Sequence, residues 1–257
     1  MRQIFTNGPD GLLKYDIAHE VTAFSPLRDA VLPMRVVQAH QVHGDRVAVV
    51  TSADTTRKEL EGYDALVTDV PGVAIGARTA DCIPVLMYDP VRRAVAAVHS
   101  GWKGTVLKIA AKALAVMASK YGTQPKDILA VIGPGIGRDS FQVGPEVAEA
   151  FLAAGFPETW SRPDTDDGGT TCTDKTIVRL ITDRGPRIPG SMSGGLHIDL
   201  PQTVRLTLIR AGVHDPNILI SGIDTYTHPG FFSARREGPF CGRTVNTIML
   251  NSHRQRF

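Results

Sequence analysis

Two consecutive apolar runs, joined by a short turn, constrain the fold of this chain more than any other feature. The runs are CIPVLMY, from Cys82 to Tyr88, and AVAAVH, from Ala94 to His99. Neither alternates polar with apolar residues, as a strand with one face in water would. Strands that are apolar on both faces must be covered on both faces. This pattern is typical of the interior of a layered α/β domain.

Further elements surround these runs. Three helices are predicted: one over about Trp102 to Tyr121 that stops at Gly122, one over Pro145 to Ala154, and one that follows Asp199 and ends at Gly212. Five other short runs have the composition of strands: Val47 to Thr51, Ala65 to Thr68, Val73 to Ala77, Ile128 to Ile132 and Ile218 to Ser221. Strands and helices therefore alternate along the chain, as in an α/β fold.

A long polar stretch separates the second helix from the third. Residues at about 160–195 are rich in Ser, Thr, Asp, Gly and Pro. This composition predicts an extended excursion or flap from the domain rather than a linker between domains. Cys172 lies in this stretch, and we interpret it as an incidental exposed thiol.

Composition narrows the classes of function. The three cysteines are scattered and form no even-numbered framework, and the N-terminal residues contain no continuous apolar stretch of the kind found in signal peptides. We therefore expect a cytoplasmic protein without a membrane partner. A net charge of +2 and an aromatic content of 6% also argue against nucleic acid as a partner. The sequence does not indicate the oligomeric state.

Cys82 and His99 stand at the outer ends of the two apolar runs. If residues 89–92 form the turn, antiparallel pairing places Cys82 opposite His99, with Cβ atoms about 4.5–5.5 Å apart. A slip of one residue would turn one of the two side chains away. The SGWKG segment that follows would bring the N-terminus of a helix close to the same point, and such a place favours an anion.

His43 is the third candidate, because it precedes a glycine just before a predicted strand. With a metal ion, two imidazoles and one thiolate leave the fourth tetrahedral position open, as in catalytic zinc sites. The same ligands suit copper. Without a metal, Cys82 beside an imidazolium would be a nucleophile of low pKa. The spacing alone does not choose between these chemistries. For His40 we predict a role at the surface or in support of the ligands.

Several long motifs, in a fixed order, resemble one known family. They are QVHG, GYDALVTDVPGVAIGARTADCIPVLMYDP, AAVHSGWKGT, IGPGIG followed by FQVGPEV, and TYTHPGFFSARREGPFCGR. From about Val21 to Val245 the chain resembles the YfiH family, also called the laccase-domain or multicopper polyphenol oxidase family. The resemblance implies a single α/β domain over residues 1–257, with a mixed β-sheet covered by helices, as in cytotoxic necrotizing factor deamidases. The family's three site residues fall on His43, Cys82 and His99.

The resemblance implies several activities. Family members have been described as copper-dependent oxidases of phenols, as purine nucleoside enzymes that phosphorolyse or deaminate adenosine-type substrates, and as editors of peptidoglycan precursors. The chain has eight histidines but no His-x-His pair, so a standard four-copper laccase is not encoded. We therefore predict a zinc-dependent enzyme that acts on a purine nucleoside with phosphate or water. The alternatives are copper-dependent oxidation of phenols and a metal-binding domain without catalysis.

Residues that would bind substrate or support the site are also predicted. The anion-binding candidates are Arg78, Lys103 and the helix N-terminus near Gly101 to Thr105. Arg28 matches only the arginine of the family's N-terminal Thr-Arg-x-Gly-Gly-x-Ser segment, whose glycines are missing here. Further candidates are Arg235, Arg236 and Arg243, which face the pocket or lock the C-terminal segment. For Asp81 and Asp64 the first predicted role is support of the ligands and the second is general acid or base work. Tyr226 and His228 are candidates to stack on or cap a base. A regular strand would point Asp81 away from Cys82.

Overall fold

The structure is a computed structural model that describes residues 5–7, 9–161, 177–182 and 195–252. Most of the predicted excursion, residues 162–176 and 183–194, lies outside the described residues, and Cys172 is among them. Within the described ranges, no helix combines the length and the apolar character that crossing a membrane requires.

The described elements are mostly short strands. In chain order they are β1 (Phe5–Asn7), β2 (Leu12–Tyr15), β3 (Val21–Pro26), β4 (Val37–Gln38), β5 (Val47–Val49), β6 (Ala65–Thr68), β7 (Ile75–Thr79), β8 (Ile83–Asp89), β9 (Ala94–Ser100), β10 (Leu129–Ile132), β11 (Gln142–Val143), β12 (Thr159–Ser161), β13 (Ile177–Arg179), β14 (Ile181–Thr182), β15 (Leu196–Ile198), β16 (Ile218–Ile220) and β17 (Thr244–Leu250). The helices are α1 (Trp102–Val106), α2 (Ile109–Tyr121), α3 (Pro145–Ala153), α4 (Leu200–Arg210) and α5 (Ala234–Glu237).

Two six-stranded sheets form the body of the fold. The first has the order β1-β2-β3-β17-β7-β4 and the second the order β16-β10-β8-β9-β6-β5. Each sheet combines parallel with antiparallel pairs: β4 runs parallel to β7, β5 to β6 and β10 to β16, whereas β8 and β9 are antiparallel. The predicted α/β class with mixed sheet is confirmed. The sequence did not indicate that there would be two large sheets.

The layering explains why β8 and β9 are apolar on both faces. On one face, Ile83, Val85 and Met87 of β8 belong to the cluster that includes the apolar residues of α2 and α4. On the other face, Leu86 and Tyr88 belong to the cluster shared with the first sheet. The second sheet therefore lies between a helical layer and another sheet. Each large side chain buried in this way contributes about 1.5–3 kcal/mol.

The register of β8 and β9 differs from the predicted one by two residues. Asp89 pairs with Ala94, and His99 lies opposite Pro84 rather than Cys82, which precedes the strand. Because side chains alternate with a period of two, a shift of two residues keeps both groups on the same face. The predicted pairing is wrong, but the side chains of Cys82 and His99 still meet.

The prediction of one helix from Trp102 to Tyr121 is also wrong in one respect, because this segment forms two helices. Lys108, between α1 and α2, has a φ of 60°, in the left-handed region that ends a helix. Gly122 caps α2 with a φ of 74°, as predicted. At α4, Asp199 accepts a hydrogen bond from the Gln202 backbone N–H at 3.1 Å.

This break generates a stability prediction. A left-handed residue with a side chain costs about 1–2 kcal/mol relative to glycine, although glycine also gains freedom in the unfolded chain. We expect Lys108→Gly to leave the free energy of unfolding unchanged or to raise it by up to about 1 kcal/mol, as measured by urea denaturation. The exposed control Ala115→Gly, inside α2, should lower it by about 1 kcal/mol. Equal losses in both variants would indicate one continuous helix.

Candidate metal centre and its cavity

The structure brings His43, Cys82 and His99 together, although they lie in three separate segments. One ligand atom from each lies within 4.8 Å of the others. The two imidazole rings meet edge to face, with centroids 4.8 Å apart. His99, in β9, is buried, Cys82 is partly buried and His43 is exposed. The cluster therefore has a closed side formed by the sheet and an open side at His43.

Asp64, which precedes β6, holds both histidines in place. Its carboxylate accepts hydrogen bonds from the backbone N–H groups of Val42, His43 and Gly44 at 3.2, 2.9 and 2.8 Å. It also lies 2.8 Å from Nδ1 of His99. Because Nδ1 donates to the carboxylate, Nε2 of His99 remains available to a metal ion. These contacts are those expected of a residue that orients the ligands.

The buried charges of the cluster stabilise one another. Burial alone would raise the pKa of the Cys82 thiol, but the charge of His99 and hydrogen bonds from both imidazoles lower it to about 6. Burial alone would lower the pKa of His99, whereas the Cys82 charge and the Asp64 hydrogen bond raise it to about 9. Burial would raise the pKa of Asp64 too, and its hydrogen bonds with His99 and with the backbone hold it below the usual value. At neutral pH the metal-free cluster is a thiolate–imidazolium pair.

Two residues of the site have a left-handed backbone. His43 has a φ of 61° and Asp81 a φ of 85°, conformations that are uncommon for residues with a side chain and that concentrate at functional sites. The regular strand that would point Asp81 away from Cys82 does not include these residues, because β8 begins at Ile83. Asp81 lines the cavity, and its carboxylate accepts hydrogen bonds from Thr225 Oγ1 at 2.7 Å and from the Arg235 backbone N–H at 2.6 Å.

Gly101 lies against the candidate ligands, where a side chain would crowd them. A Cβ atom there would lie 3.0 Å from Cys82 Sγ and 3.0 Å from His43 Cδ2. The following helix α1 has five residues and contains Lys103, whose exposed ammonium lies 5.6 Å from the centroid of the Trp102 ring. Lys103 is not among the residues that line the cavity. The predicted anion site at this helix end is therefore not supported.

The open side of the cluster faces a cavity of about 740 Å³. Arg78, Arg235 and Arg243, all predicted candidates, line it. Sequence reasoning missed several other wall residues, among them Arg57, Phe141, Phe240 and Cys241. Phe240 and Cys241 belong to the FCGR motif, which carries the family resemblance but no local signal of a cavity. The surroundings of Arg57 carry no signal that could have found it.

Other predicted residues lie away from the cavity. Arg28 pairs with Glu237 at 2.7 Å beside a separate cavity of about 470 Å³. His40 is exposed, and its backbone bridges to Glu61 in a segment that is not helical. Arg236 donates to the backbone carbonyls of Thr225, Tyr226, His228 and Phe231, so it locks the C-terminal segment.

Neither predicted stacking residue lines the cavity. Tyr226 is partly buried and packs against the core between the second sheet and the helices. The His228 ring lies against Phe231, with centroids 5.2 Å apart, and its Nδ1 accepts a hydrogen bond from the Gly230 N–H. The aromatic rings on the cavity wall belong instead to Phe141 and Phe240.

Comparison with known proteins assigns the family. The family model described as "Multi-copper polyphenol oxidoreductase laccase" matches residues 17–251. The chain belongs to this laccase-domain family, the YfiH family. This laccase-domain chain is 37% identical over 221 residues to a purine nucleoside phosphorylase of Bacteroides thetaiotaomicron, covering 84% of the chain and 72% of that protein. It is 38% identical over 220 residues to adenosine deaminase RL5 of an unknown prokaryotic organism, covering 83% and 74%.

A solved relative has the same fold. The structure of the hypothetical protein YfiH from Bacillus licheniformis superposes with a TM-score of 0.77 at 26% identity, covering 97% of this chain and 100% of that one. Within the described ranges of our laccase-domain chain, the His43, Cys82 and His99 group is the one cluster of at least three potential metal-ligating side chains. A multinuclear copper arrangement is not present among those residues.

The Asp64 contacts generate a prediction for metal binding. In Asp64→Asn, an amide replaces a carboxylate that accepts from four donors, so the histidines lose their fixed orientation. We expect zinc affinity to fall about 10–100-fold, as measured by competition with a chromophoric chelator. The control Asp69→Asn, at an exposed position after β6, should bind zinc like the wild type. Unchanged affinity in a folded Asp64→Asn protein would contradict the assigned role.

The thiolate–imidazolium pair generates a pH prediction for the metal-free protein. Because only the thiolate reacts, the rate of Cys82 alkylation by iodoacetamide should be half-maximal near pH 6 and fall below it. Peptide mass spectrometry identifies the modified cysteine. In urea the midpoint should move to about 8.5, the ordinary value of a thiol. A midpoint near 8.5 in the folded protein would disprove the pairing.

Proposed function

We propose that this protein is a zinc-dependent enzyme that acts on purine nucleosides by phosphorolysis or deamination. The observation that carries the proposal is the cluster of His43, Cys82 and His99 at the wall of a 740 Å³ cavity. Cavities of about 300–1,000 Å³ are typical of sites for small molecules. The names of the two curated relatives, a purine nucleoside phosphorylase and an adenosine deaminase, support the choice of substrate.

The donor set fits zinc. Two imidazoles and one thiolate are the ligands zinc prefers, and three protein ligands are typical of its catalytic sites. His99 would bind through Nε2, because Nδ1 contacts Asp64, and Cys82 would bind as the thiolate that its low pKa already favours. When bound, zinc acts as a Lewis acid and lowers the pKa of water.

The other cavity residues bind and orient the substrate. The side chain of Phe240 is fully exposed at the cavity wall, where its ring is available to stack on a planar purine. Phe141 presents a second ring to the same cavity. Asp81 fixes the segment before Cys82 through Thr225 and the Arg235 backbone, so its first role is to hold the wall rather than to transfer a proton.

Copper-dependent oxidation of phenols is the second candidate. The description of the matching family model favours it, and the same two imidazoles and thiolate suit copper. The character of the cavity argues against this candidate. Purine chemistry needs a polar cavity with room for a sugar and a base, which this cavity offers. Oxidation of a neutral phenol would leave the cavity's charged side chains without a role.

Product analysis tests the proposal. We expect the zinc-loaded protein to convert adenosine to adenine when phosphate is present, or to inosine without phosphate, as followed by chromatography. Cys82→Ala should lose at least about 100-fold in rate, because it removes a ligand of the centre. Cys172→Ala, which removes the thiol predicted to be incidental, should keep its rate. Oxidation of phenols by the copper-loaded protein without any purine product would support the second candidate. Stoichiometric zinc binding with no turnover would indicate a binding domain.

A further inference from the structure

Positive charge dominates the cavity beside the candidate metal centre. Four arginines line it, which are Arg57, Arg78, Arg235 and Arg243. Among the described lining residues, Asp81 supplies the one carboxylate, and that group is already engaged by Thr225 and by the backbone of Arg235. Apart from the thiolate–imidazolium pair of Cys82 and His99, the described wall of the cavity therefore holds several cations and no free carboxylate.

Arg78 is held in place at the end of β7 while its guanidinium stays free. Its backbone N–H donates to Gln41 Oε1 and its carbonyl accepts from Gln41 Nε2, both at 2.8 Å. In the described part of the chain, its side chain has no hydrogen-bond or ion-pair partner, although the residue is partly buried. Arg57 and Arg243 line the same cavity, and burial together with their charges lowers the pKa of Arg78.

The other two guanidinium groups are oriented by carbonyl oxygens rather than by carboxylates. Arg57 Nε donates to the Ala39 carbonyl at 3.2 Å. Arg243 donates to the carbonyls of Gly242 and Pro239, each at 2.9 Å. A carbonyl orients a guanidinium without neutralising it, so the repulsion among the three arginines persists. Uncompensated like charges destabilise a fold, and a bound anion would relieve that cost.

We propose that Arg57, Arg78 and Arg243 form a binding site for a phosphate group beside the centre of His43, Cys82 and His99. The guanidinium group matches phosphate because its planar set of N–H donors binds two oxygens at once. The three side chains come from the segment before β6, from β7 and from the segment before β17, so they approach from different sides. The role of this phosphate as a co-substrate rests on the function proposed above.

Two sources could supply the phosphate group. Free phosphate would act in phosphorolysis: an oxygen of hydrogen phosphate forms a bond to C1′ of the ribose as the bond from C1′ to N9 of the purine breaks. The electron pair of the broken bond goes to N9, which takes the proton that hydrogen phosphate gives up. The products are ribose 1-phosphate and the free purine. Alternatively, the group belongs to a nucleoside 5′-monophosphate, whose sugar and base would occupy the rest of the cavity.

Calorimetric titration of the full-length zinc-loaded protein tests the site without requiring turnover. Orthophosphate and adenosine 5′-monophosphate are titrated separately. We expect Arg57→Gln and Arg78→Gln each to weaken binding of the phosphate compound at least about tenfold, since each removes hydrogen bonds to a charged group. Lys58→Gln is the matched control, because it removes one positive charge next to Arg57 from an exposed residue outside the cavity wall. It should bind like the wild type.

The outcomes are separable. Arginine-dependent binding of orthophosphate supports the site with free phosphate as ligand, and arginine-dependent binding of the monophosphate alone supports it with a nucleotide as ligand. Absence of binding by either compound, or binding that survives both substitutions in variants with unchanged thermal unfolding, overturns the proposal. If binding depends on the arginines but no purine is converted, the phosphate site stands and the proposed function fails. If purine is phosphorolysed with an unchanged phosphate KM in Arg78→Gln, the function stands and the site fails.

Discussion

The buried carboxylate of Asp64 is the constraint on which the candidate centre depends. Its side chain takes hydrogen bonds from the His43 loop and from the His99 ring, and its backbone carbonyl accepts from the His99 N–H at 2.8 Å. Its own N–H donates to the Arg46 carbonyl at 3.0 Å. A buried charge is costly unless such donors surround it. The requirement to satisfy this carboxylate therefore fixes the loop before β5, the start of β6 and the end of β9 relative to one another.

The packing of the two sheets places Asp64 at the ends of the apolar strands. Because β8 and β9 are covered by helices on one face and by the first sheet on the other, their ends are the places where polar side chains can reach a cavity. Cys82 lies just before β8 and His99 near the end of β9, so antiparallel pairing brings them to the same edge. His43 and Asp81, both with a left-handed backbone, lie beside the same edge, since His43 belongs to the cluster and Asp81 precedes Cys82.

Local patterns in the sequence predicted this region well and its surroundings poorly. The apolar runs and the three candidate metal ligands were recognised because their signal lies within a few residues of the chain. The pairing of β17 with β3 and β7 joins distant segments, which no local pattern reports. The same limit hid Arg57, whose neighbours are ordinary surface residues. Lys108 illustrates another limit, since an apolar helical period continues through a residue whose backbone is left-handed.

Charge balance favours a reaction that uses an anion. In the zinc-bound centre, the thiolate of Cys82 and the carboxylate of Asp64 would offset the two charges of the ion, and neutral imidazoles would add none. The arginines of the cavity would then remain unopposed, because the Asp81 carboxylate is held by Thr225 and by a backbone N–H. Hydrolytic deamination of a nucleoside and oxidation of a phenol both begin from neutral substrates and leave this positive charge unused. Phosphorolysis would bring a dianion into the same cavity, as would a nucleoside 5′-monophosphate, so these arginines have a purpose only where the reaction uses a phosphate compound.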